Sequence, residues 1–149
     1  MSMALSEKPK PTTADKNKAV ARRWGAKTAD AGWTAVPNVL LYNVDKLGLS
    51  GGELVTLLNI LSHWREAGKY PYVAKSNLAN RMGKDPRTIQ THLKNLCEPR
   101  MVGKKTVTLM AARTRHRGGR QLANEYRFEG LIEILTELAI DELARRKTK

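Results

Sequence analysis

Between residues 76 and 96 the chain reads SNLANRMGKDPRTIQTHLKNL, two short periodic runs separated only by Met82-Gly83-Lys84. A break this short leaves few arrangements open. Gly83 can take the positive φ that ends the first helix. Asp85 stands at the N-cap of the second, and Pro86 takes its first position, where a missing N–H costs nothing. Leu78, Ala79 and Met82 share one side of the first helix, and Ile89, Leu93 and Leu96 share one side of the second. Two apolar stripes joined so tightly must face each other, which makes a helix-turn-helix. Arg87, Thr88, Gln90, Thr91, Lys94 and Asn95 then remain outward, a row of donors with no acid. Such a face suits base-pair edges and the phosphates beside them; a packing corner with a solvated face is the alternative.

The charge distribution bears on that choice. The 149 residues carry a formal charge of +13 with a pI near 10.2, which calls for a polyanionic partner or a membrane surface. Residues 71–127 hold thirteen Lys/Arg against three Asp/Glu, whereas 31–70 are neutral and 128–149 slightly acidic. Most of the excess therefore lies on the helix pair and the segment after it.

Residues 1–30 are poor in apolar side chains and read as a basic, largely disordered arm, with a short helix over Ala19 to Lys27. Its Lys16, Lys18, Arg22, Arg23 and Lys27 either track phosphates or form a solvated tail. The ordered domain is expected over 31–130. A helix over 38–46 leads to LGLSGGELVTLLNILSHW, where Ser50 and Glu53 have the spacing of a capping box. Leu54, Leu57, Leu58, Leu61 and Trp64 extend an amphipathic pattern that predicts a core helix over 51–66. Tyr70 to Val73 is a short extended lead into the helix pair.

Beyond Leu96, Pro99 stops the helix. Val102 to Met110 has the β-branched character of a strand, and Ala123 to Phe128 is its expected return partner. The intervening Arg113, Arg115, Arg117 and Arg120 surround Gly118-Gly119 as a flexible cationic hairpin tip, or a solvated loop without a role. A hairpin following such a helix pair is a wing that reaches phosphates or a minor groove. Residues 131–149 form a closing helix, with Leu131, Ile134, Leu135, Leu138 and Leu143 as a stripe widened by Ile132, Ala139 and Ile140. It is either a self-association helix or a lid on the core.

No catalytic constellation can be assembled, so no enzyme is expected. His63, His92 and His116 lie on separate elements without metal-ligand spacing, and Cys97 is the single cysteine. Neither a metal nor another cofactor is expected, no small-molecule substrate is evident, and Cys97 reads as a buried inert thiol. No phosphate-binding G-x-x-x-x-G-K-[ST] loop occurs. The first residues contain no apolar run suited to a signal peptide or membrane span, so a soluble cytoplasmic, nucleoid-associated protein without membrane partners is expected. Single-stranded RNA is disfavoured by the lack of stacking aromatics.

The order VPNVLL, LGLSGGELVTLLNIL, LANRMGKDPRTIQTHLKNL, a basic hairpin and NEYRFEGL resembles small prokaryotic winged helix-turn-helix proteins of phages, plasmids and other mobile elements. The likeness runs from about Trp33 to Leu135 and is most specific at Leu78-Ala79, Gly83 and Arg87-Thr88. Asp85-Pro86 replaces the usual serine before the arginine-threonine pair, and Arg100-Met101-Val102 replaces the usual glycine-leucine-isoleucine leaving the second helix. The resemblance implies a mainly α fold with a small β-hairpin wing, and a role as a transcriptional regulator or the DNA-binding part of a replication initiator.

The expected function is sequence-specific binding of double-stranded DNA by a homodimer. Arg87, Gln90 and Thr91 face bases in the major groove from a recognition helix over 85–97. Lys84, Thr88 and Lys94 hold phosphates, and Arg113, Arg115, Arg117 and Arg120 clamp the flanking backbone. The alternatives are an origin-binding replication or partition accessory, and a protein-interaction adaptor built on the same fold.

Overall fold

The computed structural model describes residues 13–148, with side chains from residue 16 onward. In chain order the helices are α1 (Thr13–Trp24), α2 (Ala26–Asp30), α3 (Asn38–Tyr42), α4 (Gly51–Leu61), α5 (Lys75–Met82), α6 (Pro86–Cys97) and α7 (Glu129–Lys147). Four strands lie between α6 and α7: β1 (Arg100–Val102), β2 (Lys105–Val107), β3 (Ala111–Arg117) and β4 (Arg120–Arg127). The chain divides into two units, residues 1–35 and 36–149.

In the first unit Gly25, at φ 92°, breaks α1 from α2. Trp33 closes it by donating from Nε1 to Asn17 Oδ1 at 3.1 Å. Helix therefore covers more of this segment than the short run expected at Ala19 to Lys27, while residues 1–12 of the expected arm lie outside the described residues.

The second unit is built on α4. Ser50 Oγ accepts from the Glu53 N–H at 3.1 Å, and Glu53 Oε1 accepts from the Ser50 N–H at 2.9 Å, so the capping box closes in both directions. The helix stops at Leu61, short of the expected 66. The His63 and Trp64 N–H groups bond to the carbonyls three residues back, which tightens the last turn. That turn swings Trp64 onto Phe128, with ring centroids 5.2 Å apart. The helical apolar period thus outlasts the helix because Trp64 reaches the core by another route. Likewise α3 ends at Tyr42 instead of 46: Gly48 takes φ 69° and the intervening turns bury Leu47 and Leu49.

α5 and α6 pack on each other and on α4, through Leu57, Ile60, Leu78, Ala79, Ile89, Leu93 and Leu96. Gly83 caps α5 in the left-handed region at φ 60°, and Asp85 caps α6 by accepting from the Arg87 N–H at 2.8 Å. Both features agree with the sequence reading.

The region after α6 differs from the expected single long hairpin. Gly103, at φ 62°, turns β1 back onto β2, so 100–107 form a small hairpin of their own. The expected strand over 102–110 is thereby replaced. The longer hairpin pairs β3 with β4, and only Gly118-Gly119, at φ 58° and 77°, form its turn. Two successive positive φ values match the right-handed twist of the flanking strands. Arg113, Arg115 and Arg117 consequently sit on an ordered strand and Arg120 opens the next, rather than occupying a loose tip. The Tyr126 N–H donates to Pro71 O at 2.9 Å and Tyr72 pairs with Glu125, which ties the extended lead of α5 to β4. Mainly helical, with two antiparallel hairpins after a helix-turn-helix, this is a winged helix-turn-helix architecture.

Candidate nucleic-acid interface

α6 divides cleanly by burial. Ile89, Leu93 and Leu96 are buried, whereas Arg87, Gln90, Thr91 and Lys94 are exposed and Thr88 is half-buried. The Thr91 hydroxyl donates to Arg87 O at 3.1 Å, so its proton is held by its own helix. Gln90 Oε1 accepts from Lys75 Nζ at 2.9 Å, which leaves the amide NH2 free to donate outward. Asn95, outward in the sequence reading, is half-buried on the side of the Glu53 carboxylate, whose pKa it helps to lower. Burial raises the Glu53 pKa, but the Ser50 backbone and hydroxyl, Asn95 and the Arg100 charge outweigh it and hold the carboxyl below its ordinary value.

Arg100 is the residue that locks α6 in place. Its guanidinium donates from Nη1 to Leu47 O at 3.0 Å and Gly48 O at 3.2 Å, and from Nη2 to Asn95 O. The departure from a glycine at this position therefore has a structural role: it fastens the C-terminal end of α6 to the loop before α4. On the facing side, Gly52 lets the His92 ring approach so closely that a Cβ would stand 2.6 Å from Nε2. His92 is half-buried there.

The wing runs alongside this surface. Lys75, which holds Gln90, lines a groove together with Ala74 and with Gln121 and Leu122 of β4. Gln121 faces His116 across the hairpin, one pair away from the Arg117–Arg120 closure. A continuous path of neighbouring side chains thus leads from α6 through Lys75 to the outer half of the wing. Arg115 lies 4.0 Å above the Tyr72 ring, a cation–π contact that braces this strand on the lead of α5.

The charges differ in their partners. Among the described residues, the ion pairs use Lys69, Lys105, Arg127, Arg145 and Arg146. Lys84, Arg87, Lys94, Arg113, Arg115, Arg117 and Arg120 enter none of them. Sequence reasoning missed Lys75 and Tyr72. Lys75 had a legible signal, because a cation in the first turn of a helix opposes the macrodipole. Tyr72 gave none, since its role depends on a strand pairing across more than fifty residues.

No group of three or more His, Cys, Asp or Glu among the described residues is arranged to hold a metal ion. Burial pushes the Cys97 thiol up in pKa, against a smaller opposite effect of the Ala112 backbone. No helix among the described residues is long and apolar enough to cross a membrane.

Fold and surface together define a winged helix-turn-helix domain. Residues 47–99 match a family model described as a helix-turn-helix domain. That match begins at the loop before α4 and ends just past α6, so it covers the helices and leaves out the hairpins. No curated protein matches the chain. The helix-turn-helix match and the winged architecture support DNA binding of a regulatory kind.

Proposed function

We propose that the protein is a sequence-specific double-stranded DNA-binding transcriptional regulator that acts as a homodimer. α6 enters the major groove, where Arg87, Gln90 and Thr91 meet base edges while Lys84, Thr88 and Lys94 hold the adjoining phosphates. Arg113, Arg115, Arg117 and Arg120 lie along the flanking backbone. Lys75 joins them by aiming the Gln90 amide, with the carbonyl held and the NH2 presented. The observation that carries this reading is the run of seven cations on and beside α6 that no acidic side chain among the described residues neutralises. A concentration of cations on the helix and hairpin with no carboxylate paired to them is what a polyanion displaces counterions to reach.

The test is selection of a binding site from random duplexes, followed by substitution. Arg87→Ala and Gln90→Ala are expected to weaken the selected site by about 1–3 kcal/mol and random DNA hardly at all. Arg117→Ala and Arg120→Ala are expected to weaken both alike. Identical behaviour of all four variants would remove base reading by α6.

A further inference from the structure

One face of α7 has no partner. Leu131, Ile134, Leu135 and Leu138 are buried against the domain, but Ile132, Ile140 and Leu143 are 49%, 60% and 54% exposed. At 3.6 residues per turn, Ile132, Thr136, Ala139, Ile140 and Leu143 share an arc of roughly 100° beside the buried stripe. α3 packs against α7 and leaves Leu41 and Tyr42 exposed as well.

We infer that this face pairs antiparallel with α7 of a second copy of the chain. The inference rests on the homodimer proposed above and specifies its interface. Charge along the helix selects both partner and direction. Glu129, Glu133, Glu137, Asp141 and Glu142 fill the first three-quarters of α7 with no base among them, and Arg145, Arg146 and Lys147 close it with no acid. A parallel pair would set acid against acid along most of its length. An antiparallel pair centred near Leu138 sets Glu129 opposite Lys147, Thr136 opposite Ile140, and Ile132 against the turn that carries Leu143. Glu129 and Lys147 are about five full turns apart, so they share one azimuth, and that azimuth falls within the arc, at its two ends along the helix. The helix is thus complementary to its own reverse, as a two-fold interface requires. Some of these charges also have partners within the chain: Glu137 meets Lys105, and Glu142 meets Arg145 and Arg146. Glu129 Oε1 accepts from the Tyr70 hydroxyl at 2.8 Å and keeps its charge, while Glu133 and Asp141 enter no ion pair among the described residues.

The stripe is short. A standard interface buries about 800 Å² on each side, more than one helix face of this length supplies. The pair therefore forms and dissociates with protein concentration, and two half-sites on one duplex drive it together.

The full-length chain carrying Cys97→Ser is prepared with Glu129→Cys and, separately, with Lys147→Cys, and oxidised gently without DNA. Mixing the two is expected to give disulfide-linked pairs about tenfold or more faster than either protein alone. Rapid linking of each variant to itself would mean a parallel pair and would overturn the proposal. Sedimentation equilibrium of the parent chain is expected to show a dimer that Ile140→Glu, at an exposed position, converts to monomer. A parent monomeric at every concentration would overturn it too. Neither measurement involves DNA: a monomer that still reads its site leaves the function standing, whereas a dimer that ignores DNA leaves only the interface.

Discussion

Two glycines show how local sterics set what single residues can become. Gly130 lies in the first turn of α7, where a Cβ would fall 1.7 Å from Thr108 O, a backbone atom that cannot step aside. Gly52 meets the His92 ring, a side chain that can rotate away. Gly130→Ala is therefore expected to cost about 3 kcal/mol and Gly52→Ala about 1 kcal/mol in urea unfolding, the order set by which neighbour yields. Comparable losses would mean that the first turn of α7 is free to shift. His63 supplies a pH dependence. Burial lowers its pKa first, and the charges of Arg81 and Arg65 add to that; Arg81 Nη1 also lies 2.9 Å from Nε2. The unfolded chain, where the imidazole titrates near the ordinary 6.5, then binds more protons than the folded one. Stability consequently rises with pH: the cost is fully present below the folded pKa and gone above 6.5. Urea midpoints taken between about pH 5 and pH 8 should show this rise, and His63→Gln should flatten it. An unchanged slope in the variant would assign the effect to other groups.

Among the elements, α6 is the one whose ends are chemically marked. Removing the Asp85 carboxylate should free the Arg87 N–H and cost about 1 kcal/mol, read as a lower urea midpoint for Asp85→Ala. Asp85→Asn, which keeps the acceptor, should restore most of it. These same marks made the helix pair legible from residues alone: Gly83, Asp85 and Pro86 act within three positions of where they stand, and Ile89, Leu93 and Leu96 repeat without interruption. The end of α4 was not legible, because Trp64 continues the apolar period although it reaches Phe128 from a tightened turn. Nor was the division of the wing. Gly103 and the Gly118-Gly119 pair are all turn-formers, and nothing local says that the first closes a separate hairpin. Arginine-rich β3 has little apolar alternation to announce a strand; its order comes from pairing with β4, which in turn bonds to Pro71 O. The site divides along the same line. The exposed donors of α6 followed from its period, whereas Lys75 beside Gln90 and Arg115 over Tyr72 arise only when distant segments meet.

At the scale of the whole molecule, charge is segregated: residues 71–127 hold most of the excess and α7 is acidic over most of its length. A bound duplex would release counterions only along the cationic surface, so the salt dependence measures that surface directly. If each protomer neutralises six to eight phosphates, log K should fall against log salt with a slope of roughly −5 to −7 on a single half-site. A duplex with two inverted half-sites at the proper spacing engages both protomers, and its slope should approach twice that, roughly −10 to −14. Replacing Arg113, Arg117 and Arg120 together should make the half-site slope shallower by about 3, while Arg87→Ala should change it by at most about 1. Fluorescence anisotropy across a salt series gives both slopes from the parent protein on two duplexes, and the two differences from the variants on the half-site. A half-site slope near −1 would mean that the free cations do not meet phosphate. Equal slopes on the two duplexes would mean that one protomer binds alone, and the two-fold assembly would then have no part in DNA recognition.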